Sequence, residues 1–188
     1  MNHRWFEGVV YTAYGDESAD ETKQRVFAIS GIFGSKSDWN VFRDKWRART
    51  GGKIFHATDC DTDQSTYKAT GHAENKKLYA DLTRIIADSN LIGHVAVLDL
   101  HAYNETVASA LHAEPYYYAF YSVVINLAKK AAVSIPRDRI KFVFDRNQQI
   151  EYNAGAIYDR IISRPLPSRE LMDDEISFVT REEVGVQA

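Results

Sequence analysis

The sequence has little cysteine and little proline: its 188 residues include one cysteine, Cys60, and four prolines. A single thiol cannot form a disulfide within the chain. Such cysteine usage is typical of proteins that fold in a reducing compartment rather than of secreted proteins. We therefore expect a cytoplasmic protein.

Long apolar runs are also missing. The first residues carry a positive charge at Arg4 but no apolar stretch of the length that a signal peptide needs. The apolar run at residues 91–98 is interrupted by His94 and followed by Asp99, so it falls far short of the roughly 20 residues of a membrane span. We expect neither export nor insertion into a bilayer.

The chain has no excess of positive charge, because 23 Lys and Arg face 26 Asp and Glu and leave a formal net charge of -3. Electrostatics alone therefore does not indicate a nucleic-acid partner. Basic clusters at residues 43–49 and 129–130 could each form a positive helix face, although a solvated surface is the simpler interpretation. A nucleic-acid substrate has to be argued from a site.

The hydrophobic fraction of 45% is ordinary for a globular protein, and residues 1–188 fit one domain that buries about 70% of its unfolded surface. A strand hairpin followed by alternating helices and strands predicts an α/β fold with a mixed sheet, antiparallel first strands and helices on its faces. The predicted strands are residues 9–14, 26–33, 53–56, 92–98, 139–144 and 176–179.

The helix signals are local. Ser37 predicts an N-cap, Pro115 predicts a first helical turn, and Asn153 predicts the cap of a later helix. The polar stretch 58–72 predicts a surface loop. Thr180 begins a capping box with Glu183, which predicts a final helix.

Acidic residues follow several predicted strands. Asp16 and Glu17 follow the first strand, Asp99 ends the fourth and Asp145 ends the fifth. Ligand sites of such sheets lie at the carboxyl ends of strands, where these acids could converge. Carboxylates suit Mg²⁺, and two or three of them plus substrate phosphate suffice to bind it. For Asp99 a structural role is the favoured interpretation, whereas for Asp145 both interpretations stand equal.

At these residues the chain resembles a known family. Residues 14–18, with Asp16-Glu17-Ser18, are similar to the first-strand signature of the bacterial proteins grouped as domain of unknown function 3800. That family is placed with ribonuclease H-like folds. The resemblance extends to the second strand at 27–33, to the segment 55–59 with His56 and Asp59, and to Phe144-Asp145. Residues 186–188 are similar to the start of a C-terminal Gln-x-x-Asp motif.

The resemblance implies a ribonuclease H-like nuclease that hydrolyses phosphodiester bonds of nucleic acid with Mg²⁺ or Mn²⁺. Asp16, Glu17 and Asp145 would bind the metal, and His56 or Asp59 would assist. The last acid of the C-terminal motif would lie two positions beyond Ala188, so either the final helix is shortened or one ligand is lacking, and the capping box favours shortening. We therefore expect weak or absent activity of this chain unless another acid, such as Glu183 or Glu151, substitutes. The alternative is a catalytically inactive binding module that acts through a protein or nucleic-acid partner.

Three further features carry weaker hypotheses. The set His56, Cys60 and His72 has loose zinc-like spacing, and Cys60 beside His56 is a still weaker nucleophile candidate. A cluster of aromatic residues could stack on unpaired bases, although helical spacing favours core packing or a homodimer interface for most of it. The members of that cluster are Tyr116, Tyr117, Tyr118, Phe120 and Tyr121.

Overall fold

The structure is a computed structural model that describes most of the chain. The sequence-based predictions for the final helix, Glu183 and the Gln187 motif lie outside the described residues. The residues that the structure describes are 10–20, 22, 24–108, 114–135, 138–146, 151–166 and 168–180.

Five strands form one mixed sheet. They are β1 (Val10–Ala19), β2 (Val26–Gly34), β3 (Ile92–Asp99), β4 (Arg139–Asp145) and β5 (Met172–Val179). Their order across the sheet is β3-β2-β1-β4-β5. β1 to β3 are antiparallel neighbours, whereas β1, β4 and β5 run parallel. The predicted α/β class and the antiparallel first strands are confirmed.

The helices lie on both faces of this sheet. They are α1 (Lys36–Thr50), α2 (Ala57–Asp61), α3 (His72–Ala87), α4 (Leu100–Tyr103), α5 (Pro115–Ser134) and α6 (Glu151–Ile162). Pro115 occupies the first turn of α5, as predicted. In the described part of the chain, no helix is both long and apolar enough to cross a membrane.

The larger core lies between the sheet and α5. The residues of this helix are apolar on nearly every side, as expected of a helix that is buried rather than half-exposed. Phe120, Val123 and Leu127 are fully buried and pack against the inner face of the central strands. α6 extends the same core, with Tyr158 and Ile161 buried.

A smaller core lies on the opposite face, under α1. Trp39, Phe42 and Trp46 recur at helical spacing on α1 and are buried together with Leu82 of α3. The indole N–H of Trp39 donates to the backbone carbonyl of Thr12 over 2.8 Å, which fixes α1 on β1. The two helices thus form a layer on this face of the sheet.

Several local predictions were wrong. Residues 53–56 do not form a strand; they are an unpaired connection whose Phe55 packs on Trp46 with the ring centroids 5.7 Å apart. The cap of α1 is Ser35 rather than Ser37, because the Ser35 hydroxyl accepts the backbone N–H of Asp38. Asn153 lies inside α6 rather than before it.

The stretch predicted as a loop, 58–72, contains α2 and a short helical turn, Ser65–Tyr67. β1 is longer than predicted and continues through Ala19. Asp16 and Glu17 therefore lie within the strand rather than after it. Because successive side chains of a strand alternate, Asp16 and Glu17 point to opposite faces of the sheet.

Candidate functional site

Asp16 and Asp145 lie side by side near the carboxyl-terminal edge of the sheet. The parallel pairing of β1 with β4 runs through Gly15 and Phe144, and Asp16 and Asp145 are the next residues of the two strands. Neighbouring strands are about 4.8 Å apart, and laterally adjacent residues direct their side chains to the same face. The structure therefore brings these two predicted residues together, on the face that α1 covers.

The two carboxylates are held in the same way. Oδ1 of Asp16 accepts the backbone N–H of Glu17 over 2.8 Å, and Oδ1 of Asp145 accepts that of Arg146 over 2.9 Å. Each carboxylate is half-buried and is turned by this bond toward the carboxyl end of its own strand. The two carboxylates thus face the same edge of the sheet.

Gly15 leaves room for the ring of Phe144 on the neighbouring strand. A Cβ atom on Gly15 would stand 2.4 Å from a ring carbon of Phe144, a distance that no real side chain tolerates. The ring of Phe144 instead lies over the glycine and is 2% exposed. A glycine before Asp16 is therefore required by the packing of the strand that carries Asp145.

Glu17 faces the other side of the sheet. Successive side chains alternate along a strand, and the cross-strand partner of Glu17 is Ile29, which is buried in the α5 core. Glu17 therefore lies next to α5, across the strand from the Asp16 and Asp145 pair. Of the three predicted metal ligands, two share a face and the third approaches from the opposite side.

Tyr116, at the start of α5, lies close to all three acids. Burial raises the pKa of its hydroxyl well above the usual value, and the negative charges of Glu17, Asp16 and Asp145 raise the pKa further. The phenol therefore stays protonated at neutral pH and is able to donate a hydrogen bond. Sequence reasoning placed Tyr116 only in an aromatic cluster, because nothing local tells which strand end a helix start will meet.

Arg43 of α1 adds a positive charge on the face that carries Asp16. Its guanidinium donates to the hydroxyl of Tyr14 over 2.8 Å and lies 5.5 Å from the centre of the Tyr14 ring. Tyr14 precedes Asp16 by two residues on β1 and so points to the same face. The basic cluster at 43–49 is thus not only a solvated surface, since Arg43 is half-buried against the sheet.

His56 and Asp59 form a pair of their own at the start of α2. Nδ1 of His56 lies 3.2 Å from a carboxylate oxygen of Asp59 and accepts its backbone N–H. A hydrogen bond from Ser65 lowers the pKa of Asp59, and the nearby His56 lowers it further. The backbone N–H of His56 donates to the hydroxyl of Tyr67. Within the described ranges, these contacts keep the pair in the α2 segment and do not join it to Asp16.

The zinc-like set does not assemble around Cys60. The thiol is buried and donates to the backbone carbonyl of Asn75, and burial raises its pKa, which disfavours the thiolate. His72 instead bonds to Asp63 over 2.7 Å. These contacts give Cys60 and His72 structural partners.

Two other acids have local roles. Asp99 caps α4 by accepting the backbone N–H of Ala102 over 3.0 Å, which confirms the structural interpretation of that residue. Glu151, a possible substitute ligand, lies 3.8 Å from the guanidinium of Arg146, the residue after Asp145. Glu151 thus stands near the candidate site but is paired with a cation.

Among the residues that the structure describes, no group of three or more His, Cys, Asp and Glu side chains is arranged to hold a metal ion. The candidate site there consists of a carboxylate pair, with Glu17 and Tyr116 behind it and Arg43 on the same face. Two aligned carboxylates repel each other unless a cation or a proton is shared between them. This arrangement can therefore attract a cation that has further ligands from water or substrate.

Comparison of the chain with protein-family models gave no match, and a search of curated proteins found no relative. The site must therefore be interpreted from its own geometry.

Proposed function

We propose that the chain is a metal-dependent phosphodiesterase of nucleic acid with a ribonuclease H-like sheet. The observation that carries the proposal is the adjacency of Asp16 and Asp145 on two parallel strands, at the point where β4 and its pairing with β1 end. These strands are distant in sequence, so their meeting is a property of the fold. Ligand sites of open α/β sheets lie at such strand ends.

The residues present fit a Mg²⁺ or Mn²⁺ ion. Both ions prefer oxygen ligands, and Mg²⁺ keeps several waters while it is held by one or two carboxylates and a substrate phosphate. Asp16 and Asp145 would bind it, while Glu17, on the opposite face of the sheet, would add negative charge nearby. When bound, such an ion supplies positive charge to the phosphodiester and lowers the pKa of a coordinated water, the proposed nucleophile.

The other residues of the site have roles that follow from their charge and position. The guanidinium of Arg43 lies on the face of Asp16 and would attract the phosphate backbone. Tyr116 keeps its proton and would donate a hydrogen bond at the acids. His56, held by Asp59, is the proposed assisting group, because an imidazole can accept and donate a proton.

The second candidate function is a binding module that keeps this fold without catalysis. The observation that favours it is that the described residues offer an aligned carboxylate pair rather than a group of three or more ligands. In that case Asp16 and Asp145 would have a structural role at the edge of the sheet. The chain would then act through a nucleic-acid or protein partner. Metal binding separates the two candidates.

The test is thermal unfolding with millimolar Mg²⁺ or Mn²⁺. A ligand that binds only the native state stabilises it by about 2.7 kcal/mol at a concentration of 100 Kd. We expect the melting temperature to rise with Mn²⁺, and Asp16→Asn or Asp145→Asn to abolish the rise. Asp44→Asn is the matched control, because Asp44 is exposed on α1 and its loss should leave the metal response intact.

Cleavage is then measured on labelled single-stranded, duplex and hybrid oligonucleotides with Mn²⁺. Loss of Asp16 or Asp145 should slow hydrolysis on the order of a hundredfold, as expected when a group that stabilises transition-state charge is removed. Absence of any metal-dependent rise in the melting temperature, together with no cleavage, would favour the binding module instead.

A further inference from the structure

A cavity of about 210 Å³ opens between α5 and α6, on the α5 side of the sheet. Its wall on α5 is made of tyrosine rings, and its wall on α6 of isoleucine side chains. Tyr118 and Tyr121 are 41% and 38% exposed, which is unusual for large aromatic side chains next to a core. The volume is below the roughly 300 to 1,000 Å³ of sites for whole drug-sized ligands, so it suits one planar ring system.

Two arginines stand at the rim of this cavity. Arg160 belongs to the last turn of α6, and Arg164 follows the helix by two residues. Both are exposed, and within the described part of the chain neither guanidinium has an ion pair or side-chain hydrogen bond. Arg169, by contrast, pairs with Asp174 over 2.6 Å. The cavity therefore combines an aromatic wall with positive charge that no described acid neutralises.

The tyrosine wall begins beside the candidate site. Tyr116 lies close to Asp16, Glu17 and Asp145, and its ring centroid is 5.4 Å from that of Tyr117. Tyr117 is the first residue of the cavity wall, and its hydroxyl accepts a hydrogen bond from Asn153 over 2.9 Å. Because the Asp16 and Asp145 carboxylates lie on the α1 face, a single strand bound at them would have to pass the sheet edge at the start of α5 to reach the cavity.

We propose that this cavity is a subsite for one nucleotide of single-stranded nucleic acid, whose base stacks on the Tyr118 and Tyr121 rings while Arg160 and Arg164 bind its phosphates. The inference deepens the proposed function, on which it rests, because it assigns the unpaired part of the proposed substrate to the cavity between α5 and α6.

The chemistry of the cavity favours this occupant. Every base has a flat π-face, so stacking on aromatic side chains binds single strands without regard to sequence, and guanidinium groups bind the phosphates. A base in a duplex is stacked on its neighbours and cannot enter a cavity of this kind without being flipped out. Single strands should therefore use the cavity, and duplexes should not.

The test is fluorescence anisotropy with labelled oligothymidylate and oligouridylate of about 10 nucleotides, a length in the range that such platforms bind. Binding is measured in EDTA at low salt, so that hydrolysis and metal binding do not contribute. We expect Tyr121→Ala to weaken binding about tenfold to a hundredfold, and Tyr121→Phe to retain it. Tyr152→Ala is the matched control, because Tyr152 is 85% exposed on α6 and lies outside the cavity.

The roles of Arg160 and Arg164 are tested by the salt dependence of binding. Replacing Arg160 and Arg164 with alanine should reduce the slope of log affinity against log salt by about 0.7 for each lost phosphate contact with a single strand. The double control Lys68→Ala with Arg84→Ala removes the same charge from exposed positions outside the cavity and should leave the slope nearly unchanged. Melting temperatures of all variants show that each is folded.

The possible outcomes separate this inference from the proposed function. Single-strand binding that is unaffected by the Tyr121 and arginine variants overturns the subsite, even if Asp16-dependent cleavage is observed. Binding that depends on the cavity supports the subsite even when no cleavage is found. If the arginine variants change the sedimentation of the protein but not its binding of oligonucleotide, the cavity is a contact between copies of the chain, and the proposal is wrong.

Discussion

At the level of single residues, Gly15 makes room for a buried ring directly beside the two candidate metal ligands. The ring of Phe144 occupies the space where a Cβ atom would lie, and Asp16 and Asp145 follow these two residues directly. A larger residue would force the buried ring of Phe144 to move, and Phe144 directly precedes Asp145.

We predict that Gly15→Ala destabilises the fold by about 1 to 3 kcal/mol, the usual cost of overpacking, and weakens the metal-dependent rise in melting temperature. Gly155→Ala is the matched control: it lies in α6 with no atom within 4 Å of the added Cβ. That change should stabilise the protein by about 0.4 to 1 kcal/mol through the unfolded state. Urea unfolding of both variants measures the difference, and equal effects would contradict the packing argument.

Single residues also show where local sequence is informative. The structural role of Asp99 was the favoured interpretation, and it is confirmed because a helix cap depends only on residues a few positions apart. The partner of Tyr116 could not be predicted, because it depends on where α5 begins relative to three distant acids.

At the level of elements, the start of α1 is fixed by a capping box between Ser35 and Asp38. The Ser35 hydroxyl donates to the Asp38 carboxylate, and this hydrogen bond is the main reason that the pKa of Asp38 is lowered. A carboxyl group with a lowered pKa in the folded state stabilises the fold above its unfolded pKa near 3.8. That contribution is lost as the pH falls through the lower, folded value.

We predict that Ser35→Ala costs about 1 kcal/mol at neutral pH, whereas Ser37→Ala stays within about 0.5 kcal/mol. The Ser35 variant should also lose less stability when the pH falls from neutral to below the pKa of the unfolded carboxyl group. The reason is that Asp38 no longer has the hydrogen bond that lowers its pKa in the folded state. Urea unfolding across this pH range measures both effects. A larger loss for Ser37→Ala would restore the cap that the sequence predicted.

The elements that the sequence predicted wrongly share a physical cause. Residues 53–56 have strand-like composition, but Phe55 packs on Trp46 of α1, and none of the described strands pairs with this segment. The first strand was predicted to end at residue 14, because Gly15 and the acids after it resemble a turn. Pairing with β2 carries the strand on to Ala19. Pairing partners, rather than propensity, decided both cases.

At the level of the whole molecule, the two cores share one sheet. Leu127 packs in the α5 core, while Trp39 and Trp46 belong to the α1 core on the other face. Neither helix layer can bury its apolar surface without the strands between them. We therefore expect the two layers to unfold together.

We predict that Leu127→Ala destabilises the protein by about 2 to 5 kcal/mol and shifts tryptophan fluorescence and circular dichroism transitions in urea by the same amount. Fluorescence reports largely on the α1 core and circular dichroism on all elements, so coincident shifts indicate one cooperative unit. Val133→Ala, 85% exposed on the same helix, should have little effect. Separate transitions would show that the layers unfold independently.

The sequence by itself determined the α/β class, the antiparallel opening strands, the α5 start at Pro115 and the two aspartates worth examining, because these depend on local periodicity and on residue types. Only the tertiary structure decided that Asp16 and Asp145 stand on neighbouring strands, that Glu17 faces the other side, and that His56 pairs with Asp59. The physical reason is that strand pairing and helix docking join residues more than 100 positions apart, and no local pattern records which of them will meet.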